Sequence, residues 1–337
     1  VSGGTAAGPT NRLAGAAMLG SLLLAAALAG LAIGDVPTSL PDLWRGAISG
    51  EGPGALTLRV IRGPRVASAA GVGALLGLSG AVLQSLLRNP LAAPDLLGFN
   101  AGAGLAVVAG IAFGLALPAP LLASAGGLAA ALLMAALAHR PGHAISTPTL
   151  ILVGLGTGFF AGAIGAFLLL TLPNAEAAEA QRWLTGSLAA RNWAHVGQVW
   201  LTGGALALLL ALQVPALKLL DLGDDLASGL GLRVQRARWG LVGTAVLLSA
   251  AAVAVAGPVP FVALMAAPLG IAMTGARAPG SRLFAAAGAG ALILVLSDLA
   301  ARAAIPGLQL PVGVTTGLLG APYLLWRLSR EMEKGKL

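Results

Sequence analysis

Charge is scarce in this chain, and much of it is spaced to grip an opposite charge. Asp298 and Arg302 stand four residues apart in an apolar run, on one face of any helix that forms there. Arg62 and Arg65 flank Pro64 at the start of another apolar run. Proline suits a first helical turn, and a spacing of three puts both guanidinium groups on nearly one face. The chemistry these residues offer is recognition: the planar arginine fork holds a carboxylate or a lipid phosphate in a bidentate way. For Arg302 the bland alternative is a local pair with Asp298. A second cluster runs from Leu219 to Arg233. Asp224 and Asp225 can open a short helix, where acids are favoured, and Gly229 and Gly231 can end it. Leu222, Leu226 and Leu230 then form an apolar stripe that a merely solvated loop does not need. Ser146 and Thr147 add two small hydroxyl residues before Pro148.

Other chemistries lack their residues. No Gly-x-x-x-x-Gly-Lys-Ser/Thr string is present, so the chain carries no P-loop for ATP. There is no cysteine, hence no disulfide, thiolate metal site or cysteine nucleophile. His139, His143 and His195 fall near the ends of apolar runs without ligand spacing, and we expect them at membrane surfaces rather than on a metal. No catalytic triad or carboxylate pair can be assembled. The expectation is a non-enzyme with no cofactor or metal of its own.

The elements that must position these residues are apolar. Of 337 residues 57% are hydrophobic and 9% charged, against about 25% charged in soluble domains. Runs of about 20 residues, enough to cross a bilayer core, occupy about 13–33, 64–87, 98–118, 120–138, 147–172, 194–214, 238–256, 258–276, 282–304 and 311–328. The expected fold is therefore all-α, a polytopic membrane protein of about ten helices. Residues 1–11 are expected to be a disordered tail and 12–337 a single transmembrane domain. An even count puts both termini on one side. That side carries thirteen of the 20 Lys and Arg residues, which marks it as cytoplasmic. The +8 net charge reflects these flanks and is no nucleic-acid signal. The segment 173–193 reads as a short interfacial helix anchored by Trp183 and Trp193. Gly154, Gly158 and Gly162 share a helix face, for packing within the subunit or at an interface or pathway.

The most informative stretch is Gly80 to Gly104. Pro90 and Pro94 forbid a continuous helix through it, and Arg88, Asn89, Asp95 and Asn100 suggest a rigid polar turn at a membrane surface. Ser79-Gly80, Gln84, Arg88 to Ala92, Pro94, Leu97-Gly98 and Gly102-Ala103 resemble the signature of the permease subunits of bacterial ABC importers for iron-siderophores, haem and cobalamin. Pro94-Asp95 and Gly98-Phe99-Asn100 look most like ferric-enterobactin-type subunits. Gly257-Pro258, Phe261-Val262, Pro268 and Gln309 to Thr315 continue the likeness. In one place it fails: Leu269 and Ala272 stand where the family usually has His and Arg.

The resemblance implies a type II importer permease fold in the cytoplasmic membrane. It implies a second permease subunit (a paralogue, or an identical copy), two ATPase subunits holding ATP and Mg, and a periplasmic or lipid-anchored binding protein that delivers ferric siderophore. Leu222, Gly223, Asp224, Asp225, Leu226, Gly229 and Gly231 become coupling helices on the ATPase. Arg62, Arg65 and Arg302 become receivers of binding-protein glutamates. Ser146 and Thr147 become the cytoplasmic gate. The rivals are a haem or cobalamin permease, an ion-coupled secondary transporter and a membrane scaffold.

Overall fold

The computed structural model describes residues 9–34, 37–95, 97–138, 147–305 and 307–333. They form fourteen α-helices: α1 (Pro9–Ala32), α2 (Leu40–Ser49), α3 (Gly52–Leu56), α4 (Gly63–Leu87), α5 (Phe99–Ala112), α6 (Ala119–Ala138), α7 (Thr147–Thr171), α8 (Asn174–Leu184), α9 (Trp193–Asp221), α10 (Asp224–Gly229), α11 (Val234–Ala256), α12 (Val262–Thr274), α13 (Pro279–Ala303) and α14 (Val312–Glu333). A π-helical turn at Thr57–Ile61 joins α3 to α4. Seven helical stretches are long and apolar enough to cross a membrane. With the shorter α5 and α12 and the 22-residue α14, helices stand at all ten expected positions. Residues 9–11, expected in the tail, open α1 instead, and Pro9 suits its first turn.

The bundle is built around α4, which packs on α13, α11, α12 and α9. Its apolar window is 78% buried, against 17% for α1 and α7, so α4 is the core and those two helices are periphery. Small residues make this possible. Gly73 faces the backbone of Gly290 on α13, and Gly80 the backbone of Ala263 on α12, so closely that a β-carbon at either position would collide. Ser79 adds a hydrogen bond to the Ala245 carbonyl of α11, 2.7 Å. The two ends of the bundle differ. The near end gathers the start of α1, the end of α14 and the α9–α11 connection. The far end gathers the end of α1 and the starts of α4 and α14.

Two expected full spans are short. The 14 residues of α5 and the 13 of α12 reach only about 20 Å at 1.5 Å per residue, less than a bilayer core. The expected surface turn after α4 accounts for the difference. Residues 88–95 run back into the protein as irregular backbone, and Ala92, Ala93 and Leu97 are buried. Gly98, at φ 79°, lies against Gly154 and Gly158, two and three turns into α7. Non-helical backbone is tolerated at membrane depth only where protein surrounds it, and here polar groups do. The Asp95 carboxylate accepts the backbone N–H of Phe261 at 2.9 Å, and the Asn100 amide donates to Asp95 at 3.2 Å. Gln84 donates to the Leu264 carbonyl at 3.1 Å. The start of α12 and the start of α5 are thereby tied together.

Candidate functional site

Two charged regions stand at opposite ends of the bundle. At the far end, Asp298 is 1% exposed and lies between two arginines. Arg65 Nε donates to both its oxygens, at 2.9 and 3.1 Å, and Arg65 Nη1 reaches Gln309 Oε1 at 3.2 Å. Arg302 pairs with the same carboxylate from one turn later, Nε to Oδ2 3.2 Å. Its other nitrogens donate to the carbonyls of Gly30, 3.0 Å, and Ile33, 3.2 Å, at the end of α1. Arg62 donates to Leu31 and Ala32 there, at 2.9 and 3.0 Å. A helix C-terminus leaves four carbonyls without partners and a negative dipole end; two guanidinium groups satisfy both at α1.

The three arginines expected to receive external carboxylates are therefore together, but only 7–8% exposed and bonded within the chain. Arg302 does make its local pair, and Arg65 joins it from α4. A glutamate arriving from outside would compete with Asp298 and with the α1 carbonyls. Other arginines at this end, Arg45, Arg59 and Arg182, are exposed, as are Leu40, Trp44 and Ile48 along one face of α2. The segment expected as an interfacial helix is α8, and Trp193 bonds to the Arg59 carbonyl at 2.7 Å.

At the near end the opposite arrangement holds. The last turn of α9, then α10, then a turn at Leu230–Arg233 join α9 to α11. The expected short helix is present, six residues long. Asp224 and Asp225 open it, and Gly229 is its last residue. Gly223 and Gly231 take φ of 110° and 87°, a region side chains rarely adopt. Leu222, Leu226 and Leu230 are 56%, 61% and 63% exposed. Beneath this stripe the segment is anchored. Arg238 holds Asp224 at 3.0 and 3.2 Å, Arg88 donates to the Leu220 carbonyl at 3.2 Å, and Arg282 pairs with Asp221. The spacing of Leu and Gly signalled the stripe. The anchoring arginines carried no local signal, because their partners are distant in sequence.

Along the side of the bundle, α5 and α7 enclose a groove of about 390 Å³ walled by small residues, with Asn100 at one end and Pro258 in its wall. The glycine row of α7 is not uniform. Gly154 and Gly158 pack on Leu97 and Gly98, while Gly162 faces the groove. The outward face of α7 carries Leu152, Phe159, Phe160, Phe167 and Leu170, all exposed. Of the expected gate, Thr147 is the first residue of α7, and Ser146 lies outside the described residues, as do His139 and His143. His195 caps α9 with Asn192.

An all-helical bundle with this central helix, half-length helices and exposed loop has known counterparts. Residues 22–330 match the FecCD transport family. The chain belongs to that family. It is 40% identical to the ferric enterobactin transport system permease protein FepG of Escherichia coli strain K12, over 94% of this chain and 96% of that one. It is 37% identical to the Fe(3+) dicitrate transport system permease protein FecD of the same strain, over 92% and 98%. Among solved structures, the inward-facing conformation of a metal-chelate type ABC transporter superposes with a TM-score of 0.78 at 26% identity, covering 94% of this chain and 99% of that one. The FecCD chain is thus a multi-pass permease of the cytoplasmic membrane, with the importer permease fold. Its nearly full-length coverage of these relatives leaves the transport role as the frame for both charged regions.

Proposed function

We propose that this chain is the permease subunit of an ATP-driven importer that moves a ferric siderophore across the cytoplasmic membrane. The observation that carries the proposal is its 40% identity, over nearly its whole length, to a ferric enterobactin permease. The near end is cytoplasmic, as its excess of Lys and Arg indicates. There the Leu222, Leu226, Leu230 stripe docks on an ATPase subunit, which holds ATP and Mg; the permease performs no catalysis. Exposed leucines on an anchored helix are what a partner groove requires. The exposed apolar face of α7 packs on a second permease subunit, a paralogue in our reading, and substrate passes between the two. Thr147, at the inner end of α7, belongs to the gate with Ser146.

The far end meets the binding protein. Exposed Arg45, Arg59 and Arg182 make first contact with its acidic side chains and act mainly on docking rate and orientation. Arg62, Arg65 and Arg302 lie behind them and join only by exchanging partners within the chain. Reconstitution with the ATPase and binding proteins encoded beside it tests the assignment. Ferric siderophore uptake that needs ATP and the binding protein is expected. Uptake of haem or cobalamin instead moves the chain within its family, and uptake driven by an ion gradient without the ATPase overturns the proposal.

A further inference from the structure

A second cavity, about 410 Å³, opens at the near end between α4, α12, α13 and α14, and no role above accounts for it. One side is basic: Arg88, Arg282 and Arg327, from three different helices, line it with Gln84 and Asn89. The other side is apolar and includes Ile271 and Ala272. We propose that this cavity binds a phosphate group, and that its occupant is the head of an anionic phospholipid from the adjoining leaflet.

Donor capacity is available. An arginine carries five N–H donors, and Arg88 and Arg282 use few of them in the bonds described. Arg88 donates to the Leu220 carbonyl, which occupies an N–H but leaves the positive charge uncompensated. Arg282 pairs with Asp221 through one Nη nitrogen, which leaves other N–H groups to donate. Arginine forks suit phosphate oxygens, and basic pockets between helices at the cytoplasmic side suit phospholipid heads. The shape favours a lipid over a free ion, because a small ion has no use for the apolar wall. The location favours it too. Trp326, half exposed beside Arg327, lies under the Arg330 guanidinium at 4.9 Å, and Trp is enriched at the headgroup level. Ala272 also stands in this wall, so the chain has an apolar surface where the family pattern has an arginine. Arg88 and Arg282 touch the last turn of α9, so an occupant shares its ligands with the root of the coupling segment.

The test uses the full-length permease, purified and placed in nanodiscs of phosphatidylcholine with or without phosphatidylglycerol. Lipids retained after gentle extraction are counted by native mass spectrometry. Arg327→Gln removes one cation on α14 and leaves Arg88 and Arg282 in place. Ala272→Phe fills the cavity from its apolar wall and leaves every arginine in place. Preferential retention of phosphatidylglycerol is expected, falling about fivefold in Arg327→Gln and comparably in Ala272→Phe. A second arm adds inorganic phosphate to phosphatidylcholine-only discs and follows thermal stability. Stabilisation by phosphate that both variants abolish, with no preference between the lipids, keeps the anion site and names a free ion as occupant. Equal retention of the two lipids with no phosphate effect, or effects that survive both variants, overturns the proposal.

Discussion

The two ends of the molecule use the same residue types to opposite effect. At the far end Arg62, Arg65, Arg302 and Asp298 are buried and bonded to one another or to α1. At the near end Asp224 and Asp221 are also paired with arginines, but the neighbouring stripe of leucines stands in the open. A buried charged cluster consumes its own recognition capacity. An exposed apolar stripe retains its capacity for a partner. The far-end arginines are thus tied into the fold, and the near-end leucines are left for the assembly role proposed above.

The largest effect is expected at Asp298. Asp298→Ala leaves Arg65 and Arg302 buried without their carboxylate, and breaking a buried pair from one side costs about 3–5 kcal/mol. Melting followed by fluorescence size-exclusion should show little folded protein. A companion variant sharpens the point. Asp298→Leu combined with Arg65→Leu removes carboxylate and one cation together and should recover part of the loss, since paired replacement is far less costly than orphaning. If Asp298→Ala melts like the parent, the cluster is not structural and the arginines are free for an external acid.

Next in size is Gly231→Val. A β-branched residue at φ 87° carries about 1–3 kcal/mol of local strain, confined to a six-residue helix and its turn. Fold and yield should survive, while ATP hydrolysis should no longer drive uptake. Full coupling in this variant would remove the turn from the ATPase contact.

Much of this was legible in the chain itself. Ten apolar runs located ten helices, and the Leu and Gly spacing located a short helix with an exposed leucine stripe. Two features were hidden for a physical reason. Arg88, Asn89 and Asp95 marked 88–98 as polar, and polarity in an apolar chain suggests a water surface. Arg88 is exposed as that reading expects, but Ala92, Ala93, Pro94 and Leu97 are buried, because distant groups (the Phe261 N–H above all) satisfy Asp95. Spacing likewise put Arg62 and Arg65 on one face but could not say what that face met. Its partners, the ends of α1 and α13 and Gln309, come from elsewhere in the chain.

The smallest effect on stability, and the largest on assembly, is expected at Leu226. The side chain is 61% exposed, and surface substitutions usually change stability by less than about 0.5 kcal/mol. An apolar anchor lost from the centre of an interface costs more than about 1.4 kcal/mol, or tenfold in affinity. The direct measurement is therefore the affinity of the purified permease complex for its ATPase subunit, with Leu226→Ser beside the parent and melting temperature read on the same samples. The account predicts at least about tenfold weaker binding at an unchanged melting temperature. Unchanged affinity, or a loss of affinity that merely follows a loss of fold, would contradict it.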